Sequence, residues 1–251
     1  MELSREGESL YLQDHALSLW HNIEAIRDAL GPDVTTENPN ARILDIGASP
    51  LTLAYRAYFG ARTSTLDLTA LLAQRFERNG ISHRVCNLLN EPFPFDAGSF
   101  DVVVLTEVLE HLPTGPGRVF REINRVLLPG GHLVFSLPNL AQLRKRITSL
   151  RGRAVLEPVY DVFKESEGAQ SSGSGEWVHG FGHVREYTLR ETCDLVEHYG
   201  LAVVRSSCVD STTSATTSIG GRVRSTIAEM AKSMIPNSRS INLVLARKNP
   251  S

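Results

Sequence analysis

The chain has 251 residues, and its 26 Lys and Arg side chains against 28 Asp and Glu give a formal net charge of −2. A hydrophobic content of 41% and a charged content of 22% are typical of a globular protein and exclude a disordered or collagen-like chain. Three cysteines without a CxxC pair argue against a disulfide scaffold and favour a reducing, cytoplasmic location. The near-neutral charge also argues against nucleic acid as a general partner.

Residues 1–40 are predicted to form a helical extension, because Leu17, Trp20 and Ile23 recur near helical spacing and Gly31 ends the pattern. From Ala41 onwards, short apolar runs alternate with amphipathic segments. The predicted strands are 43–46, 63–68, 84–88, 101–105, 133–137, 201–206 and 241–246. The predicted helices are 50–59, 69–79, 116–128 and 188–199. Strands that alternate with helices in this way predict a parallel sheet built from βαβ units.

The segment RILDIGASP, residues 42–50, is an apolar strand that runs through a glycine turn into a helix. Ser49 is predicted to cap this helix, with Pro50 at its first position and Gly60 just past its end. Gly47 would let a ligand approach the backbone, although an ordinary tight strand–helix turn explains the same residues. Read as a dinucleotide fingerprint, the turn lacks two of the three glycines, which argues against NAD.

A second acid, Asp67, follows the second predicted strand. An acid at the end of that strand can bind both hydroxyls of a ribose, and it can equally be a helix N-terminal acid favoured by the helix dipole. Its position one βα unit after Asp45 favours ribose binding.

The most specific pattern is PFPFDAGSFDVVVLTEVLEHL, residues 92–112, followed by FREINRVLLPGGHLVFSLPN, residues 120–139. With these motifs the chain resembles the class I S-adenosylmethionine-dependent methyltransferases, in the type 11 and ubiquinone/menaquinone-biosynthesis-like group. The resemblance covers residues 42–139 and resumes at 183–206 and 241–248. It implies an α/β, Rossmann-like, seven-stranded and mostly parallel sheet, with helices on both faces, an antiparallel last strand and helical insertions. We therefore expect one domain over 41–251, with insertions at 140–180 and 211–239.

The resemblance also implies a cofactor, S-adenosyl-L-methionine, and the residues that bind it. Asp67 matches the ribose-binding acid, and Asn87 stands where the family usually has an acid at the adenine edge. Because S-adenosyl-L-methionine has no phosphate groups, the turn can lack the family's later glycines and still bind it. The implied cofactor-binding residues are Asp45, Gly47, Ala48, Ser49, Asp67, Leu68, Asn87, Leu88, Thr106 and Glu107.

A hydroxyl or amine acceptor requires a base, and histidine has a suitable pKa. His183, in the stretch GHVREYT before the Thr188 helix, is the preferred candidate, and His111 is a weaker one. A structural role for His183 is at least as well supported, because Thr188 and Glu191 fit a capping box. His179 and His183 lie on a glycine-rich loop, so no metal site is expected.

The two insertions carry apolar stripes beside basic residues, which predicts amphipathic helices over the site. Five basic residues and no acid lie between Leu140 and Arg153, so an anionic acceptor or a membrane surface is a further expectation. Candidate substrate residues are Arg144, Arg146, Arg185 and Tyr187. Three hypotheses remain open. The first is methyl transfer to a small molecule, a glycan or a lipid-linked acceptor. The second is methyl transfer to an isoprenoid quinone or another lipid, and the third is a catalytically silent cofactor-binding protein.

Overall fold

The structure, a computed structural model, describes residues 15–31, 40–156, 182–211, 226 and 229–250. Its strands are β1 (Arg42–Ile46), β2 (Arg62–Asp67), β3 (Ser82–Val85), β4 (Phe100–Thr106), β5 (Leu127–Pro138), β6 (Leu201–Val209) and β7 (Ile241–Lys248). Its helices are α1 (Ala16–Leu30), α2 (Pro50–Phe59), α3 (Ala73–Arg78), α4 (Gly117–Val126), α5 (Leu143–Leu150) and α6 (Leu189–His198), with a 3-10 turn at Leu109–His111.

The seven strands form one sheet in the order β3-β2-β1-β4-β5-β7-β6. Strands β1 to β5 pair in parallel, whereas β7 is antiparallel to both of its neighbours, β5 and β6. This confirms the predicted Rossmann-like sheet with an antiparallel last strand. The chain leaves β1 towards β2 on one side and reaches β4 on the other, so a crevice opens at the carboxyl ends of these strands.

Apolar side chains cover both faces of the sheet, as expected for central parallel strands. On one face, Phe135 of β5 packs against Phe120 of α4, and the other face packs Tyr55 and Phe59 of α2. Helix α1, from the predicted extension, joins this second face through Ile23 and Ile26. Helix α1 therefore shares the core of the sheet, while residues 1–14 and 32–39 of the predicted extension lie outside the described residues.

Local residue types set the ends of two helices as predicted. The Ser49 hydroxyl caps α2, Pro50 is its first residue, and Gly60 ends it in the left-handed conformation, with φ of 59°. Thr188 caps α6 in a capping box with Glu191. Both caps lie next to segments that enter the functional site, so they set the path of the backbone there.

Two predicted boundaries are wrong in the same region. The third strand is Ser82–Val85 rather than 84–88, because the Asn87 side chain accepts a hydrogen bond from the Leu89 amide and turns the chain. The helix predicted at 69–79 begins only at Ala73, because Oδ1 of Asp67 accepts from the Thr69 amide and holds the preceding residues in a turn. Both turns shape the wall of the site described below.

Helix α5 confirms a helix in the first insertion, and it is anchored at its start because the Leu143 amide donates to the carbonyl of Ser238. The remaining residues of the two insertions, 157–181, 212–225 and 227–228, lie outside the described residues, and so does His179. Within the described ranges, no helix combines the length and the apolarity that crossing a bilayer requires.

Candidate functional site

A cavity of about 740 Å³ opens at the carboxyl ends of β1, β2 and β4. This is the crevice where α/β sheets of this type bind ligands. Of the predicted cofactor-binding residues, seven line it: Gly47, Ala48, Asp67, Leu68, Asn87, Leu88 and Glu107. The cavity also includes His111, one of the two predicted bases.

Gly47 forms the floor of the cavity at the end of β1. It has a φ of 86°, and its amide donates to the Leu66 carbonyl at 2.9 Å. A Cβ atom at this position would lie 2.3 Å from Cγ2 of Val108, which is far inside van der Waals contact. The turn therefore requires glycine both for its backbone conformation and for the close approach of the β4 loop.

Asp45 lies beneath this turn, and its side chain is buried rather than part of the cavity lining. Burial raises its pKa to about 7, with the nearby Asp67 adding to the effect, while a hydrogen bond from Thr52 works in the opposite direction. Ser49 caps α2, and Thr106 ends β4; neither lines the cavity. These three residues support the turn and strand ends from which the lining residues project.

The β2 side of the cavity carries Asp67, Leu68, Asn87 and Leu88. Oδ1 of Asp67 accepts from the Thr69 amide at 2.9 Å, and a carboxylate has capacity for further donors. Leu68 keeps 45% of its surface exposed, which provides an apolar surface on this wall. The wall thus combines a hydrogen-bond acceptor with an apolar patch, as a nucleoside requires.

The opposite wall carries Glu107, at the end of β4, and His111. Glu107 has a φ of 55°, unusual for a residue with a side chain, and accepts a hydrogen bond from the Ser136 hydroxyl at 3.5 Å. The ring of His183 lies against that of His111, with centroids 5.1 Å apart. His183 is held by Glu186, whose Oε1 accepts from its Nδ1 at 2.9 Å. The structure therefore brings both predicted bases to one edge of the cavity.

The predicted substrate residues do not line this cavity. Arg146 donates to backbone carbonyls at residues 141, 236 and 237, so it ties α5 to the second insertion. Arg185 lies over the ring of Tyr187, 4.7 Å from its centroid, and Tyr187 itself is buried. Arg144, by contrast, is exposed on α5.

Several lining residues were missed in the sequence. His83 lies on β3, where its Nδ1 is 3.0 Å from the Thr65 hydroxyl and its Nε2 is 2.9 Å from the Thr69 carbonyl. Val108 and Leu112 belong to the specific 92–112 block, which marked them as part of a family pattern without indicating that they face the cavity. Glu110 was missed as well: it is fully buried directly behind His111.

Comparisons with known proteins agree with this geometry. Residues 44–135 match the family model of the type 11 methyltransferase domain. The methyltransferase str2 of Strobilurus tenacellus is 33% identical over 124 residues, which are 46% of this chain and 44% of that protein. The ubiquinone biosynthesis O-methyltransferase of Xanthomonas oryzae pv. oryzae is 32% identical over 105 residues, 39% of this chain and 44% of that protein.

The fold also matches solved structures. The S-adenosylmethionine-dependent methyltransferase of Mesorhizobium loti superposes with a TM-score of 0.55 at 19% identity, over 88% of this chain and 95% of that one. The chain thus spans less than half the length of the two curated relatives but nearly the whole of a solved fold. Residues 44–135 therefore match a methyltransferase domain in sequence, and the sheet that contains them has the fold of a solved S-adenosylmethionine-dependent methyltransferase.

Proposed function

We propose that the protein transfers the methyl group of S-adenosylmethionine to a hydroxyl oxygen of a small-molecule, glycan or lipid-linked acceptor. The observation that carries the proposal is the single cavity, which joins the glycine turn at Gly47, the acid at Asp67 and the imidazole of His111. One wall suits a nucleoside, and the other carries a group that accepts protons near neutral pH.

In this proposal the cofactor lies along the carboxyl ends of β1 and β2. Asp67 accepts from the ribose hydroxyls, Leu68 packs on the adenine, and Asn87 contacts its polar edge. The methionine part lies over Gly47 and Ala48, with Glu107 on the far side. Support comes from the cavity lining, which contains all six of these residues.

Methyl transfer then requires the acceptor oxygen in line with the carbon–sulfur bond, because correct positioning alone can supply roughly 7–11 kcal/mol of the barrier. His111 and His183, at the edge of the cavity, are placed to take the proton of the acceptor hydroxyl. The bond between Nδ1 of His183 and Glu186 favours His183 as the better oriented of the two.

The exposed surface next to the site favours an anionic or lipid-linked acceptor. Helix α5 presents Arg144, and it ends at Leu150, which is 88% exposed. Basic and apolar side chains together suit peripheral contact of a cytoplasmic protein with an anionic membrane. The name of the Xanthomonas relative, a ubiquinone biosynthesis O-methyltransferase, supports an isoprenoid quinone as the alternative acceptor.

Calorimetric titration tests the cofactor. We expect S-adenosylmethionine and S-adenosylhomocysteine to bind and NAD to give no heat of binding. Asp67→Ala should lower the affinity for both methionine-derived ligands at least tenfold, because one lost charge-assisted hydrogen bond is worth about 1.5–3 kcal/mol. Asp194→Ala, which removes an exposed acid of α6, is the matched control and should leave affinity unchanged. Absence of binding by the wild-type protein would overturn the proposal.

Transfer of a labelled methyl group into extracts of the source cell tests the acceptor. Partition of the labelled product between water and an organic solvent separates a glycan or small polar acceptor from a lipid or quinone, and mass spectrometry identifies the methylated atom. Cofactor binding without any labelled product would instead favour the catalytically silent protein.

A further inference from the structure

Three potential metal ligands come together beside the cavity. They are Glu110 and His111, in the 3-10 turn after β4, and His183, in the segment before α6. One ligand atom from each residue lies within 4.8 Å of the other two. A cation about 2.1 Å from each ligand atom would hold the three ligand atoms roughly 3.4 Å apart. The three side chains therefore need to move closer together by about 1 Å to bind the cation.

Glu110 provides an independent indication of a bound cation. Its side chain has no exposed surface, and neither carboxylate oxygen accepts a hydrogen bond. A buried carboxylate with no partner is unfavourable, and the nearest ring nitrogen, Nε2 of His111, is 3.9 Å from Oε1. A cation between them would give the carboxylate the partner that it lacks.

The backbone holds the two halves of the cluster in place. The amides of Val184 and Arg185 both donate to the carbonyl oxygen of Glu110, at 2.7 and 3.3 Å. These bonds fix the segment that carries His183 against the turn that carries Glu110 and His111. The fold therefore holds the backbones of the two histidines next to each other.

A further carboxylate orients His183 in the manner usual for metal-binding histidines. Nδ1 of His183 donates to Oε1 of Glu186, so Nε2 is the ring nitrogen that carries the lone pair. Lys145 of α5 forms an ion pair with the other oxygen of Glu186. This pair fixes the position of the Glu186 carboxylate, which in turn orients the imidazole of His183.

We propose that Glu110, His111 and His183 bind a divalent transition-metal ion, of the Zn²⁺, Mn²⁺ or Fe²⁺ type, that holds the acceptor hydroxyl during methyl transfer. Two imidazoles with one carboxylate suit these ions better than Mg²⁺ or Ca²⁺, which prefer oxygen ligands throughout. His111 lines the cavity, so an ion at this site would face the acceptor.

The role in transfer rests on the function proposed above, with one change. A bound ion would use the lone pairs of both histidines, so the ion rather than an imidazole would activate the acceptor hydroxyl. Coordination lowers the pKa of a bound hydroxyl, so that its proton passes to solvent near neutral pH. The oxygen then forms the new bond to the methyl carbon, the carbon–sulfur bond breaks, and its electron pair remains on sulfur as neutral S-adenosylhomocysteine.

Titration with metal alone tests the site. The chelator-dialysed protein is titrated with Zn²⁺, Mn²⁺ and Co²⁺, and Co²⁺ binding is also followed by its visible absorption. We expect one ion per chain, an affinity reduced at least 100-fold by Glu110→Gln or His111→Gln, and an affinity reduced about 10–100-fold by Glu186→Gln. His198→Gln, at the exposed end of α6, is the control and should bind as the wild type does. Absence of binding by the wild type, or equal binding by Glu110→Gln and wild type, overturns the proposal.

Cofactor titration of the same variants separates the possible failures. The Glu110→Gln, Glu186→Gln and His198→Gln variants, whose residues do not line the cavity, should bind S-adenosylmethionine as the wild type does, which shows that they are folded. If the wild type binds cofactor and transfers methyl groups but binds no metal, the metal site alone is wrong. If the metal binds but its removal leaves the transfer rate unchanged, the role in holding the acceptor is wrong. If the cofactor does not bind, the proposed function itself fails.

Discussion

The hydroxyl of Thr52 donates a 2.5 Å hydrogen bond to Oδ2 of Asp45, and both side chains are buried. Thr52 lies in the first turn of α2, whereas Asp45 lies near the end of β1, so the bond joins strand to helix beneath the glycine turn. Among the described residues it is the one side-chain hydrogen bond that Asp45 makes in the cofactor-free protein. A buried carboxyl group that accepts a single side-chain hydrogen bond is costly to ionise, so the stability of the protein should depend on pH.

We expect the free energy of unfolding to contain a contribution from Asp45 that falls as the pH rises from about 4 to about 7. Burial raises its pKa from 3.8 to about 7, so the folded protein holds a proton that the unfolded chain releases in this range. The contribution is complete below the unfolded pKa and is lost as the pH passes the folded one. At about 1.4 kcal/mol per pH unit, it amounts to at most on the order of 4 kcal/mol.

Urea unfolding of the wild type and of Asp45→Asn at several pH values measures this contribution. Other buried carboxyl groups titrate in both proteins and cancel in the difference between them. That difference should change between pH 4 and 7 and stay flat above about pH 8. Parallel stability curves over the whole range would contradict the expected pKa of Asp45.

Gly47→Ala should both destabilise the protein and reduce cofactor affinity. Positive φ costs an alanine about 1–2 kcal/mol, and its Cβ would also displace Val108 from the wall of the cavity. We expect a loss of at least tenfold in the affinity for S-adenosylmethionine, measured by titration. Gly152→Ala is the matched control, since it has a φ of 67° but no atom within 4 Å of the new Cβ. Equal stability losses in the two variants, with cofactor affinity retained, would rule out the clash with Val108.

Arg146→Ala should lower the free energy of unfolding by about 1–3 kcal/mol, because its guanidinium donates to three backbone carbonyls, two of which belong to the second insertion and join it to α5. Arg144→Ala removes a neighbouring exposed arginine and should change stability by less than about 0.5 kcal/mol. Charge reversal by Arg144→Glu should instead weaken binding to anionic vesicles. Similar stability losses for both alanine variants would show that Arg146 is not a structural tie.

Asn242→Ala should destabilise the protein by about 1–3 kcal/mol. The Asn242 side chain is fully buried in β7, and its amide donates to the carbonyl of Tyr187 at 2.8 Å and to the Thr192 hydroxyl at 3.3 Å. Chemical denaturation measures the loss, and Asn79→Ala, whose amide makes an exposed hydrogen bond, should cost much less. An equally small effect at Asn242 would mean that the Tyr187 segment is held by other contacts.

Much of the fold was predictable because local patterns determine it. Apolar runs located five of the seven strands closely, whereas β5 begins at Leu127, six residues before its predicted start. Ser49 and Thr188 marked helix starts through side-chain hydrogen bonds to nearby amides. The third strand was misplaced because the Asn87 turn depends on one side-chain oxygen within a continuous apolar segment.

The site was less predictable because distant backbone contacts assemble it. Nothing local in GHVREYT shows that the amides after His183 donate to the carbonyl of Glu110. On sequence alone, His183 was therefore considered together with His179, and no metal site was predicted. In the same way, Arg146 was predicted to bind substrate, and the carbonyls that engage it come from residues 236 and 237, far along the chain. At His183 and Arg146, the residue type indicated the chemistry of the side chain but not the groups that it contacts.

The sheet cannot be completed during synthesis until the antiparallel strand β7 has been made, because β7 lies between β5 and β6. Among the described strands, β7 is the only neighbour of β6. Until residues 241–248 leave the ribosome, the backbone groups of β5 and β6 that pair with β7 therefore have no hydrogen-bond partners in the sheet. Strand edges with such unpaired groups are templates for aggregation, so a nascent chain that has not yet reached β7 should tend to aggregate even though the residues that line the cavity have already been made.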